Sequence, residues 1–283
     1  MKLPFQIDLT GKVAAITGGA GVLCSSFAEA LAACGAKVAI IDRNAGNGNA
    51  VVEKITAAGG TAMMIVTDCL DVESLKAANE TMKAAFGPCD ILINGAGGNN
   101  PRATTDNEYY EADDLPDPEK KDFFSLKPDG IRFVFDLNVT AAFLTTQIFA
   151  RDMAKSGKGG NILNISSMNA YRPLTKIPAY SAAKAAVSNF TQWLAVHFAN
   201  TGVRVNAIAP GFFVSKQNRA LLFNEDGTPT ARTGKILGAT PMKRFGEADE
   251  LLGGLLWLVS EGASFVTGIV LPIDGGFSAY SGV

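Results

Sequence analysis

The sequence predicts an α/β fold: a single doubly wound parallel sheet with helices on both faces. Three observations predict it. Strand-like apolar runs alternate with helical runs along the chain, as repeated strand–helix units require. The strand runs are continuously apolar, the mark of strands buried on both faces. A glycine-rich turn follows the first strand directly and opens a helix. Right-handed crossovers then wind the sheet in both directions from its centre.

Taken in order, Lys12–Thr17 reads as the first buried strand, and a helix from about Val22 to Cys34 follows its glycine turn. Lys37–Asp42 is the second strand, followed by a helix from Val51 to Ala58. Thr61–Val66 is the third, with a helix over Val72–Phe86, and Asp90–Asn94 is the fourth. A helix around Ile131–Met153 precedes the strand Asn161–Ile165. A helix carrying Tyr180 precedes Val203–Ile208, and a last helix over Ala248–Val259 leads to Ile269–Ile273. Two long excursions break this rhythm: an acidic, proline-bearing insertion at about 99–130 and a second segment at about 212–241. Both leave the carboxyl ends of strands, where ligands bind in such sheets, so both read as functional lids.

With 283 residues, 47% of them hydrophobic, and a formal charge of −2, the chain suits one α/β domain over 1–283, or at most two small ones. The near-neutral charge argues against a nucleic-acid partner. Met1–Asp8 lacks the apolar run of a signal peptide, and the apolar stretches read as shorter than the ~20 residues that cross a bilayer. No membrane association and a cytoplasmic location are therefore expected. Cys24, Cys34, Cys69 and Cys89 show no C-x-x-C spacing, which argues against zinc and a disulfide framework. A single histidine, His197, excludes multi-histidine metal sites and reads as structural within an apolar helix; no metal is expected.

The chemistry-bearing residues fall into two groups. In Thr17-Gly-Gly-Ala-Gly-Val-Leu-Cys24, glycines let the backbone approach a pyrophosphate while the helix N-terminus stabilises its charge. The string Gly19-x-Gly21-x-x-Cys24 lacks the third glycine of the dinucleotide fingerprint, with a small cysteine in its place. Asp42, ending the second strand, can accept from both adenosine ribose hydroxyls and would repel a 2′-phosphate, favouring NAD over NADP; Arg43 beside it could pair with such a phosphate. The second group is Tyr180 and Lys184, four apart on an alanine-rich helix and so on one face. A neighbouring ammonium favours the phenolate. Bringing a phenol from about 10 to about 7 takes roughly 4 kcal/mol, part of which such a cation supplies. The product is a phenol able to exchange a proton with an alcohol or carbonyl at neutral pH.

Together these residues resemble the short-chain dehydrogenase/reductase family, whose fold is Rossmann-type. Thr17-Gly18 matches the start of its glycine loop, although Gly21 falls one place early and Val22 and Cys24 replace later glycines. Asp68 matches the acidic residue near the adenine, and Asn94-Gly-Ala-Gly97 matches N-N-A-G with one change. Asn138 matches the catalytic asparagine, and Ser167, 13 positions before Tyr180, the catalytic serine. Pro210-Gly211, with Ser215 for the usual threonine, matches the segment over the nicotinamide. The resemblance implies a cofactor site of Gly18, Gly21, Val22, Leu23, Asp42, Arg43, Asp68, Cys69, Asn94, Ala96, Gly97, Tyr180, Lys184, Pro210, Gly211, Phe213 and Ser215. It also implies that Lys184 bonds the nicotinamide ribose and lowers the Tyr180 pKa, that Tyr180 moves the proton, that Ser167 holds the reacting oxygen, and that Asn138 holds a relay water. A homotetramer is the usual assembly.

Within the family, the glycine loop, Asn164–Ala170, Ala209–Arg219, the insertion and the last ten residues resemble a sugar-acid branch, the D-mannonate oxidoreductase (fructuronate reductase) type. Polar and basic residues fit a polyhydroxy acid: Asn99, Asn100 and Arg102 in one excursion, Lys216, Gln217, Asn218 and Arg219 in the other, and Asn169, Arg172 and Lys176 between Ser167 and Tyr180. Asn99, Asn169, Lys176 and Arg219 are the expected substrate ligands, the last two for the carboxylate. A neutral polyol or sugar dehydrogenase, a 3-oxoacyl reductase, and a catalytically silent dinucleotide-binding module are the competing readings.

Overall fold

The computed structural model describes residues 7–111, 120–214 and 219–282. Seven parallel strands form one sheet in the order β3-β2-β1-β4-β5-β6-β7. They are β1 (Val13–Thr17), β2 (Lys37–Asp42), β3 (Thr61–Val66), β4 (Ile91–Asn94), β5 (Gly160–Ile165), β6 (Val203–Pro210) and β7 (Val270–Ile273). In β1, Ala14 and Ile16 enter the core on one face with Phe27, Leu31 and Leu255, while Val13 and Ala15 enter the other with Leu75, Phe149 and Leu194. That division is the period of two in a strand, and it explains why the strand reads as a continuous apolar run.

The helices are α1 (Val22–Ala33), α2 (Ala45–Ala57), α3 (Val72–Phe86), α4 (Pro128–Phe135), α5 (Ala141–Ser156), α6 (Pro178–His197), α7 (Arg219–Leu222), α8 (Ala231–Ala239) and α9 (Leu252–Val259). The second helix begins six residues earlier than expected. Its glycines at 46 and 48 argue against a helix, but Asn44 caps it by accepting from the Asn47 N–H (3.0 Å), and Gly48 packs so tightly on Met64 that a Cβ there would collide with the sulfur. The expected helix around Ile131–Met153 is two helices joined by a π-helical turn at Asp136–Thr140. Pro128 starts this run at a first-turn position and Gly157 ends it in the left-handed region (φ 64°).

The 29-residue run Pro128–Ser156 is long and apolar enough to cross a membrane by length and composition, which corrects the expectation that no such stretch exists. Here it is a flanking helix, packed through α5 on α3, β4 and β5 and through α4 on α6. The last helix starts as a 3-10 turn over Ala248–Leu251, closed by a capping box between Glu247 and Glu250.

Strand order reverses between β1 and β4, the switch point where a crevice opens at the carboxyl ends. A buried polar network holds that point. Asn94 Nδ2 donates to Thr146 Oγ1 (3.0 Å) and Asn164 Oδ1 (2.8 Å), its Oδ1 accepts from Thr145 (2.5 Å), and Asn164 Nδ2 donates to Thr191 Oγ1 (2.8 Å). The two excursions are joined by an ion pair. Lys235 of α8 donates to both Glu108 oxygens at 2.9 Å, and the Thr105 N–H donates to the Lys176 carbonyl (2.9 Å).

Candidate active site

A cleft of about 620 Å³ occupies the switch point, its lining including Gly18, Asp42, Asp68, Gly97, Ser167, Tyr180, Lys184 and Phe213. The first turn of α1 closes one side. Gly21 caps it without a side-chain acceptor, no acidic residue lies in the first turn, and the first N–H bonded inside the helix is that of Ser25. The N–H groups of residues 22–24 are therefore open, a ready site for a phosphate. Gly18, with φ +64°, passes so close to the next loop that a Cβ would sit 2.9 Å from the Ala96 nitrogen. Cys24, in place of the third glycine, lies against Gly95; a Cβ at Gly95 would collide with its sulfur. Burial pushes the Cys24 thiol up to about 12, so it packs as a small apolar side chain.

Asp42 reaches back over the turn, its Oδ2 accepting from the Ala20 N–H (3.2 Å) and its Oδ1 from the Asn44 N–H (2.9 Å). Arg43 faces Asp68 across the mouth at 3.9 Å. Val22, Leu23, Cys69, Ala96, Pro210 and Gly211 also line the cleft. Asn94 does not; its side chain lies beneath the wall, with both ends engaged in the polar network. Ser215, Lys216, Gln217 and Asn218 lie outside the described residues. The open amides, the room beside Gly18 and the carboxylate at the end of β2 fit a dinucleotide.

The reacting end is built on α6, β5 and the π turn. Pro178 in the first turn starts α6, which brings Tyr180 and Lys184 onto one face. Lys184 Nζ donates to the Ile165 carbonyl (2.7 Å) and lies 5.6 Å from the centre of the Tyr180 ring. Burial pulls this ammonium down to about 8. The Tyr180 phenol is pushed above its ordinary value by burial, and the Ser167 hydroxyl pulls it back only in part. In this arrangement the ammonium lies over the ring and bonds a carbonyl, and desolvation is the main influence on the phenol. Ser167 Oγ accepts from the Asn169 N–H (3.2 Å), which leaves its own proton for Tyr180 or a ligand oxygen.

Asn138 sits in the π turn, a local irregularity that often marks functional sites. Its Nδ2 donates to the Val134 and Gly98 carbonyls (both 2.8 Å), and its Oδ1 accepts from the Gly98 N–H (3.1 Å). A Cβ at Gly97 would lie 2.7 Å from Asn138 Oδ1 and 3.1 Å from Lys184 Nζ, so both groups flank that glycine. Asn138 therefore holds the floor of the cleft through Gly98.

The expected substrate ligands are dispersed, and none of the four lines this cleft. Asn99 donates to Thr104 Oγ1 (3.0 Å), and Arg219 stacks over Phe223 at 5.3 Å. Arg102 pairs with Asp129 (2.8 Å), and Arg172 donates to the Ser278 carbonyl (3.2 Å). Asn169 is buried and Lys176 is half-buried with φ 70°. Lys176 and Arg232 join Lys235 in holding the Glu108 carboxyl below the usual carboxylate range, the Lys235 hydrogen bond being the main cause. Glu108, Arg232 and Lys235 were not anticipated, because charged residues on a polar surface carry no local signal of what they face. Thr17 was seen only as part of a motif; its Oγ1 accepts from the Gly95 and Ala96 N–H groups (3.1 and 3.3 Å) and ties β4 to β1. His197 is exposed in the last turn of α6, stacked on Trp193 at 4.6 Å, and takes no part in the cleft.

A parallel sheet with an open helix N-terminus at its switch point, and a Ser–Tyr–Lys set beside it, define a nicotinamide-dependent oxidoreductase of secondary alcohols. The short chain dehydrogenase model matches residues 12–225, and the chain belongs to that family. It is 56% identical over 282 residues to an uncharacterized oxidoreductase, UxuB, of Bacillus subtilis, covering 99% of this chain and 100% of that one. It is 32% identical to a 2-dehydro-3-deoxy-D-gluconate 5-dehydrogenase of Dickeya dadantii, covering 96% and 97%. Among solved structures, a Haemophilus influenzae protein provisionally described as a D-mannonate oxidoreductase, with bound NAD, superposes with a TM-score of 0.94 at 54% identity over the whole of both chains.

Proposed function

We propose that this enzyme interconverts the secondary alcohol and ketone of a sugar acid, D-mannonate and D-fructuronate, with NAD. The observation that carries this reading is the full-length likeness to the NAD-bound Haemophilus protein. Lys176, Arg232 and Lys235, gathered around Glu108 where the two excursions meet, are cations of the kind that bind a substrate carboxylate. Lys176 and Arg219 remain the proposed carboxylate ligands. NAD rather than NADP follows from Asp42, and Arg43 is already faced by Asp68.

The proposed roles are these. Gly18, Gly21, Val22 and Leu23 receive the pyrophosphate, Asp42 the adenosine ribose, Asp68 and Cys69 the adenine side, and Lys184 the nicotinamide ribose. The bound nicotinamide supplies the hydride chemistry. Ser167 orients the reacting oxygen with its hydroxyl, and Tyr180 delivers or accepts the proton at that oxygen. Lys184, turned from the Ile165 carbonyl toward the phenol, would stabilise the phenolate and bring Tyr180 into range. Asn138 supports this end through Gly98. A homotetramer in the cytoplasm is the proposed assembly and setting.

The test is a panel of D-fructuronate, neutral ketoses and acyl ketones with NADH and NADPH side by side. D-Fructuronate with NADH should give the highest kcat/KM. A higher value with a neutral ketose or an acyl ketone would overturn the sugar-acid reading.

A further inference from the structure

Phe212 lines the cleft, and the same residue lines an adjoining hollow of about 90 Å³ bounded also by Thr240, Met242 and Asp274. Its backbone is fixed. The Gly211 N–H donates to the Ile273 carbonyl (2.9 Å), and the Phe212 carbonyl accepts from the Gly246 N–H (2.9 Å). The ring keeps only its side-chain torsions, and the hollow offers it room away from the cleft. What meets the ring is Phe277, edge to face, with centroids 5.3 Å apart and planes at 76°.

Neighbouring strands deliver these groups to one end of the sheet. Ile165 of β5 lies opposite Ile208 of β6, and Pro210 of β6 lies opposite Ile273 of β7. Ser167, Phe212 and Phe277 therefore follow the carboxyl ends of three adjacent parallel strands. After β7 the chain turns tightly. Asp274 Oδ1 accepts from the Gly276 N–H (2.9 Å), its Oδ2 from the Ser278 N–H (2.8 Å), and its carbonyl from the Phe277 N–H (3.2 Å). Gly275 and Gly276 take the left-handed conformations this turn requires, with φ 63° and 87°. The turn lies directly on the residue before Phe212, since a Cβ at Gly211 would collide with Asp274. It is also fastened beyond Ser167: Tyr171 donates its hydroxyl proton to the Val270 carbonyl (2.6 Å), and Arg172 Nε donates to the Ser278 carbonyl (3.2 Å).

We propose that Phe277 is a positioning residue: held by the Asp274 turn, it keeps the Phe212 ring on the cleft and out of the hollow, so that Phe212 bounds the reacting end beside Ser167. This inference rests on the dehydrogenase activity of the cleft and is independent of which ketone is the substrate. A reacting group displaced by about 1 Å can lose about 100-fold in rate, so the pose of a ring bounding that end carries weight.

The experiment measures kcat/KM for Phe277→Ala, Phe212→Ala and the double variant with NADH, on whichever of D-fructuronate, fructose and butan-2-one the wild type reduces fastest. Phe277→Ala should lose about tenfold. In the Phe212→Ala background the same substitution should cost less than about two-fold, because Phe277 acts through that ring. Phe277→Tyr, which keeps the ring, should stay within about three-fold of the wild type. Phe277→Leu, which keeps bulk without the ring, serves in both backgrounds should alanine unfold the turn. Equal losses from the Phe277 substitution in the two backgrounds would make it a purely structural residue and overturn the proposal, as would unchanged kcat/KM in the single variant. Fastest reduction of fructose or butan-2-one by the wild type would sink the sugar-acid reading, and the Phe277 proposal would then be decided on that ketone.

Discussion

Replacing Lys184 with methionine tests how the folded protein holds this cation. The side chain is enclosed, and burial lowers its ammonium to about 8 from 10.5. Below pH 8 both the folded and unfolded chains carry the proton, and the folded state bears the whole cost of burying it. Between pH 8 and 10.5 the unfolded chain still holds a proton that the folded chain has released, so stability rises with pH. The full rise is about 3 kcal/mol at ~1.36 kcal/mol per pH unit. Lys184→Met has no such proton, and the lost hydrogen bond to Ile165 gives an offset that is nearly independent of pH. Urea unfolding of both proteins at about pH 7 and about pH 9.5 isolates the effect, since other groups cancel in the double difference. The wild type should gain about 2 kcal/mol on the variant across that interval. A gain below about 0.5 kcal/mol would show that Lys184 titrates as an ordinary surface lysine and would refute the argument.

Other consequences are open to direct measurement. Tyr180→Phe should lose about 10²–10⁴-fold in kcat, with the Kd for NAD, read by fluorescence titration, unchanged. Asn94→Ala removes three buried hydrogen bonds and leaves Asn164 Oδ1 without a donor. It should cost about 2–5 kcal/mol, a fall of roughly 3–8 °C in a thermal melt. Asp42→Ala should lower the NAD to NADP ratio of kcat/KM about tenfold or more, read in parallel assays. Lys235→Met should raise amide hydrogen exchange in both 104–111 and 231–239, because one ion pair joins those segments; the bridge should also loosen as pH falls through the depressed Glu108 pKa.

The strands were legible because their signal is local. A run such as Val38-Ala-Ile-Ile41 is apolar whichever neighbour it pairs with, and the glycine turn after β1 declares the end at which a ligand binds. Helix starts were less legible. The weak pattern at 45–50 forms a helix because Asn44 caps it and Met64 fills the space over Gly48, and the second of these partners is fixed only once β3 is in place. The π turn at Asn138 depends likewise on an interruption of the helical ladder, where a side chain bonds the Val134 carbonyl.

By itself the sequence determined the chemistry: residue types and spacings specify a dinucleotide turn, an acid at the end of β2 and a Ser–Tyr–Lys set, because those signals are carried within short segments. Only the tertiary structure decided how these groups are charged and what faces what. It turned the Lys184 ammonium to a carbonyl, left Tyr180 dominated by desolvation, placed Asn94 beneath the cleft, and joined the two excursions through Glu108 and Lys235. Desolvation and long-range pairing depend on groups distant in the chain, and no local pattern of residues encodes them.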